Sequence, residues 1–488
     1  MKRTLARLLS TATLLLAFYS PAHAQNATWL LNPPSASGNF NTAANWIPAT
    51  VPTGTAFFGT SNVTALTFSA NTSVGGWTFN AGASAYTFAN NQSLVFLGAG
   101  IVINGGSASI INSGDLHFLG TSTAGSATIT SNNDLNFLGT STAGNAAITN
   151  NNNSGTVVDF SGSTGPTGDN KLTAGSIGGA GVFQLGANEL TVGGNNFSTE
   201  VSGAIVGTGS LVKVGTGTLT LSGNANLGGT TIDGGTLAVN GGALNAINTI
   251  ILGSTAGTSG TLNIGAGGRA TAQNLIVGES GVGILAVQNG GILTDFGGFV
   301  GDLPGSQGTV TVSGAGSTWT NTDTIQVGAL GTGTLTIENG GILNSGGGGS
   351  IGLSAGSTGT VTVTGLGSIW RNSLGVGLNI GSFGKGTLTI ANGGTVINDT
   401  GFAANIGTGA GSRGTVTVTG PDSTWSNSSG VNVGNFGTGT LTVADGGIVN
   451  VNGPIVLAAK AGSIGTLNIG AGAGNPAVAP GTLFTQSV

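Results

Sequence analysis

Residues able to do chemistry are few in this 488-residue chain, and they lie far apart. Asp295 and Asp302, seven positions apart among glycines, come nearest to the paired carboxylates that acid and base work on a sugar requires. Almost no other charge surrounds them, so they read as solvated corners. The expectation is that the chain is not an enzyme; the alternative is a β-helical polysaccharide lyase or hydrolase, which would lose turnover on replacement of Asp295 or Asp302. A serine-protease set lacks its parts, because His117 is the single histidine beyond residue 24 and no Gly-Asp-Ser-Gly occurs. With no cysteine and with Asp399, Asp422 and Asp445 isolated from one another, neither a metal site nor a cofactor is expected.

Tryptophan offers a second kind of chemistry. Trp319, Trp370 and Trp425 each follow a Gly-Thr-Val-Thr-Val segment, 11 residues after its glycine at Gly308, Gly359 and Gly414. On a surface, rings in such a row would form a ligand-stacking platform for sugar faces. In an interior they would form a packing ladder, each indole N–H bonded to a corner carbonyl. The Ser before each Trp segment and the alternating apolar residues favour packing.

The elements that position these residues follow from a repeat. A motif of the Gly-Thr-hydrophobic-Thr-hydrophobic type begins at Gly235, Gly260, Gly283, Gly308, Gly333, Gly359, Gly386, Gly414, Gly439 and Gly465, with steps of 23 to 28 residues. A period that steady marks one structural unit stacked on itself. Alternation inside the unit, as in Thr387-Leu388-Thr389-Ile390, is that of a strand with one apolar face. Asn339-Gly340, Asn392-Gly393 and Asp445-Gly446 supply corners, because Gly, Asn and Asp accept positive φ. These corner units alternate with the Trp units, so two coil types take turns. Three short strands and three corners fill about 25 residues, the size of one turn of a right-handed parallel β-helix. Ten such coils make a rod of roughly 50 Å.

Composition agrees. Ninety-six glycines and only 5 % charged residues leave little material for helices, while 38 % hydrophobic residues exclude a disordered chain. The first 24 residues differ. Lys2, Arg3 and Arg7 precede an apolar run from Leu8 to Tyr19, and Ala22-His23-Ala24 provides small residues for cleavage between Ala24 and Gln25. The run is shorter than the roughly 20 residues a membrane span needs. Loss of this leader takes the net charge from −5 to −8, with no basic patch for nucleic acid. The expected organisation is a signal peptide over 1–24, an N-terminal β cap region over 25–110, irregular coils over 111–212 and regular coils over 213–488. Trp29, Trp46, Trp77 and four prolines mark the cap, and Asp115-Leu-His-Phe-Leu-Gly recurs 19 residues later as Asp134-Leu-Asn-Phe-Leu-Gly.

Gly217-Thr-Leu-Thr-Leu-Ser-Gly-Asn-Ala-Asn-Leu-Gly-Gly-Thr-Thr-Ile-Asp-Gly-Gly-Thr-Leu-Ala-Val239 resembles the β-strand repeat associated with passengers of Gram-negative autotransporters, and the opening from Trp29 to Gly54 is similar to the start of large proteins of that kind. The resemblance implies type V secretion to the outer membrane, cell surface or medium, with a C-terminal translocator barrel as partner. No run of alternating ten-residue barrel strands follows the coils, which reads as truncation before a barrel or as a barrel-less relative. The functional expectation is adhesion, aggregation or a surface-structural role, with glycans, host or matrix surfaces or further copies of the chain as partners.

Overall fold

A computed structural model describes residues 24–34, 38–151, 155, 157–472 and 476–488. Residues 1–23 of the expected leader, 1–24, lie outside them. The chain is an all-β parallel solenoid of about 17 turns, and its one helical segment among the described residues is a 3-10 turn, Ala43–Asn45.

A regular coil has three strands, one on each of three faces, the second and third running together as one strand at Arg269–Val277 and at Ile292–Val300. In one coil these are Gln307–Ser313, Thr318–Asn321 and Ile325–Val327. Each pairs in parallel with its counterpart one coil on, at Thr332–Glu338, Ile342–Ser345 and Gly349–Ile351. The motif glycines hold a common register, Gly308 opposite Gly333, Gly359, Gly386, Gly414, Gly439 and Gly465 in turn. Alternate residues point inward, so Val361, Val363, Leu388 and Ile390 are fully buried. Each such side chain contributes on the order of 1.5–3 kcal/mol. Because every coil adds its own apolar rung to one continuous core, the chain needs no disulfide.

The motif glycine has a steric cause. The chain leaves the third strand at Gly352, makes a loop and returns at Gly359; a β-carbon on Gly359 would lie 2.5 Å from the Gly352 nitrogen and 2.1 Å from the Val327 oxygen. Only glycine lets the loop close at its neck. The Asn-Gly corners are formed as expected, with φ of +54° at Asn339, +51° at Asn392 and +48° at Asp445.

The duplication at Asp115 and Asp134 is one short coil repeated, with Leu116 opposite Leu135 and Phe118 opposite Phe137. Phe96, Phe118, Phe137 and Phe160 stack along the interior at centroid separations of 4.8, 5.2 and 4.9 Å. Parallel coiling also reaches into the segment expected to be a separate cap, since Thr55–Phe58 pairs with Thr72–Phe79 and that with Leu94–Ile103. The departure at this end is the two-residue strand Trp46–Ile47, antiparallel to Ala27–Trp29. It is short and followed by Pro48, which makes it a poor template for another strand. Trp46, Trp29 and Phe40 fill the interior beneath it, with centroids about 5 Å apart.

Candidate functional site

Trp319, Trp370 and Trp425 are wholly buried, so the ligand-stacking platform does not exist and the three indoles are packing residues. They sit in the strands Thr318–Asn321, Ile369–Asn372 and Thr424–Asn427, with Leu343 and Val396 in the coils between. Alternation of coil types now has a reason. A β-carbon on Gly298 would lie 3.0 Å from the Trp319 ring, and one on Gly349 would lie 2.7 Å from the Trp370 ring. Gly298 and Gly349 pair with Ile325 and Leu378 of the Trp-bearing coils, so the Trp319 and Trp370 rings are each matched by a glycine in the coil before. That pairing of small with large was present in the sequence and was the signal to read.

The N–H bonds of the indoles differ from the expectation of a corner carbonyl. Trp319 Nε1 donates to Asp295 Oδ1 at 2.7 Å, while Trp370 Nε1 and Trp425 Nε1 have no acceptor among the described residues. Asp295 begins an interior polar column that continues in register through Asn321, Ser345, Asn372, Asn398 and Asn427. Asn321 Nδ2 also donates to Asp295, at 3.2 Å. Burial pushes the Asp295 carboxyl up to about 7, against the opposing effect of its two donors. This buried carboxyl replaces the solvated corner expected there.

Asp302 lies elsewhere. It stands at the base of the loop that begins at Gly301, with the third-strand residues 298–300 between it and Asp295. Asp295 faces the interior and Asp302 the rim, so the two share no surface. His117 is half-buried in a ladder with Asn136, and burial holds its imidazole below the usual range. Asp399, Asp422 and Asp445 are exposed corner residues, and among the described residues no three of His, Asp and Glu gather as a metal would need. Gln25, expected as the first residue after cleavage, is tied to the rod: its carbonyl accepts from Thr53 and Gly54, and Thr50 Oγ1 donates to its side chain at 2.8 Å.

The surface with the strongest regularity is one the sequence presented only as alternation. Thr309, Thr334, Thr360, Thr387, Thr415 and Thr440 form one outward rank, and Thr311, Thr336, Thr362, Thr389, Thr417 and Thr442 a second beside it. Neighbours in a rank are spaced by about 4.8 Å. Of these hydroxyls only that of Thr442 is bonded within the described protein, accepting from Asn468 Nδ2 at 3.1 Å. The outward positions of the adjoining face are mixed by contrast, with Thr320, Asn344, Arg371, Ile397, Ser426 and Asn450 in one column. Strand propensity would act equally on both faces, so it does not explain the uniform one.

Comparison with known proteins bears on a short stretch of this rod. Residues 211–239 match the family model of the passenger-associated-transport-repeat. They hold the strands Thr218–Leu221, Asn224–Leu227, Gly229–Ile232 and Thr236–Val239, a full coil and the start of the next. No curated protein and no solved structure matches the chain. A passenger-associated repeat set in a parallel β-solenoid is consistent with an autotransporter passenger.

Proposed function

We propose that the chain is the exported passenger of an autotransporter-like protein, carried out by a cleaved signal peptide and an outer-membrane translocator barrel, and that it works by adhesion, aggregation or surface structure through contact. The observation that carries this reading is the double threonine rank: a long, uncharged, repeating array of hydroxyls and methyls turned to solvent. A surface of that kind suits a repeating partner such as a glycan chain or extracellular matrix. Two further points support export. The repeat at 211–239 is passenger-associated, and Gln25, immediately beyond the expected cleavage point, is hydrogen-bonded into the rod.

The experiment compares cells that carry the chain with cells from which it is deleted, for attachment to glycan-coated and matrix-coated surfaces and for clumping in suspension. Attachment or clumping that depends on the chain is expected. Equal behaviour of the two strains on every surface would remove the contact role.

A further inference from the structure

Where each third strand turns back toward the threonine face, the loops pinched by the glycine necks project as a ridge along the rod. Backbone hydrogen bonds join loop to loop in strict order, from Leu303 to Glu279, Leu330 to Asp302, Phe383 to Leu353, Gly409 to Ser382 and Phe436 to Thr408. The third strands that lead into these loops run from Gly229–Ile232 as the first to Ile455–Leu457 as the tenth. The ridge is therefore about 43 Å long, nine strand spacings.

Charge on this ridge is sorted by end. Acids stand on the first, third and fourth loops, at Asp233, Glu279 and Asp302, and bases at the seventh, eighth and tenth: Lys385 and Arg413 as the first strand residues where the seventh and eighth loops close, and Lys460 on the tenth loop. None of these six has an ion-pair partner among the described residues, where the one salt bridge is Lys171 with Glu189. Exposed apolar side chains occupy the same crest: Leu303, Leu330, Phe383 and Phe436, with Lys460 Nζ 6.0 Å from the Phe436 ring centre. Lys385 and Arg413 lie opposite each other in adjacent strands, an arrangement that is unfavourable for like charges left alone. At the other end the acids crowd in the same way, and burial together with Asp302 and Asp233 raises the Glu279 carboxyl above the usual range.

Reversing the ridge end for end sends the first loop onto the tenth, the third onto the eighth and the fourth onto the seventh. Asp233 then meets Lys460, Glu279 meets Arg413 and Asp302 meets Lys385, and by symmetry each pair occurs twice. The same operation places Leu303 against Phe383 and centres the contact beside Leu330. A two-fold axis across the rod performs this reversal, and a surface that is its own complement under a two-fold closes as a dimer without propagating.

We propose that this ridge is a self-association surface on which a second copy of the chain docks antiparallel, each acidic end against the other copy's basic end. The inference deepens the contact role proposed above by naming a partner and a face; the threonine ranks play no part in it. Exposed ion pairs contribute little one at a time, so the apolar crest supplies the adhesion and the charges set direction and register.

The test is sedimentation velocity of the full chain across a concentration series, with charge-exchanged variants. One variant carries Glu279→Lys and Asp302→Lys, the other Lys385→Glu and Arg413→Glu; Asp233 is left alone because it also bonds Ser254 and Thr258 within the fold. A dimer is expected for the native chain, weakened about tenfold or more between 0.05 and 0.5 M salt. Each variant alone should be monomeric, with circular dichroism unchanged, and an equimolar mixture of the two should restore the dimer. A native chain that stays monomeric at low salt, or a dimer that both variants form as well as the native chain does, would overturn the proposal. These outcomes are read on purified protein, so loss of cell attachment through the threonine face leaves them unchanged.

Discussion

Trp319 Nε1 and Asp295 Oδ1 lie 2.7 Å apart in adjacent coils, and this is a hydrogen bond between a buried indole and a buried carboxyl. A carboxyl in that position is most comfortable protonated, and burial raises it to about 7 in the fold from an ordinary 3.8. A group whose folded value is raised gives stability that is complete below its unfolded value and is lost as pH rises through the folded one. The window is therefore pH 4 to 7, and the rod should be firmer in acid. The difference between pH 5 and pH 8 should be roughly 2–3 kcal/mol. Urea midpoints followed by tryptophan fluorescence check this. Asp295→Asn keeps an acceptor for the indole and should flatten the dependence, with a midpoint at pH 8 no lower than that of the native chain.

The three tryptophans should separate by their polar partners. Trp370→Ala empties a full indole cavity and should cost about 3–5 kcal/mol. Replacement by phenylalanine discriminates further, because Trp319→Phe takes the donor from Asp295 while Trp370→Phe removes an N–H that has no acceptor among the described residues. At pH 8 the Trp319 variant should be less stable than the Trp370 variant by about 1–2 kcal/mol, the difference expected for a buried charge that loses a donor. Parallel denaturant curves for the two variants are the check.

Neck glycines should be less replaceable than loop-tip glycines. A β-carbon at Gly359 meets the Val327 oxygen and the Gly352 nitrogen, whereas one at Gly356 meets nothing within 4 Å although its φ is +84°. Gly359→Ala should lower stability by about 1–3 kcal/mol or more through overpacking, and Gly356→Ala by about 1–2 kcal/mol through its left-handed backbone. Thermal unfolding of the two variants side by side measures the gap.

Interruption of the threonine ranks should alter contact without altering the coil. Thr362→Lys and Thr389→Glu place opposite charges at two adjacent outward positions, where they can pair, and touch no buried atom. Attachment of cells displaying this double variant should fall severalfold, while the unfolding midpoint stays within about 0.5 kcal/mol of the native value. Flow-cell attachment on the surface that binds the native chain is the measurement.

Much of this architecture is legible in the sequence because a solenoid repeats its local rules. Period-two alternation gave the strands, the common glycine gave the register, and Asn339-Gly340 and its counterparts gave corners whose positive φ the fold contains. The Trp spacing located a column but did not by itself decide which side of the strand the ring takes. Gly298 and Gly349, small where the next coil carries Ile325 and Leu378, carry that information across coils, and it becomes legible only once the strands are aligned. Asp295 was misread as a solvated corner for a related reason. It lies inside the strand Ile292–Val300, two residues after the buried Leu293 and beside the exposed Phe296, and the glycines that follow it hid that alternation. The charge order along the ridge is spread over more than 200 residues of sequence, from Asp233 to Lys460, and gathers only when the loops stack.

The central claim is that this rod is carried out of the cell and presented there, beginning at Gln25. Brief protease treatment of intact cells that display the chain with an internal epitope, followed by N-terminal sequencing of the protein from untreated cells, tests it most directly. Loss of the epitope from intact cells together with an N-terminus at Gln25 is the expected result. An epitope protected until the cells are broken, on a chain that still carries residues 1–24, would contradict it.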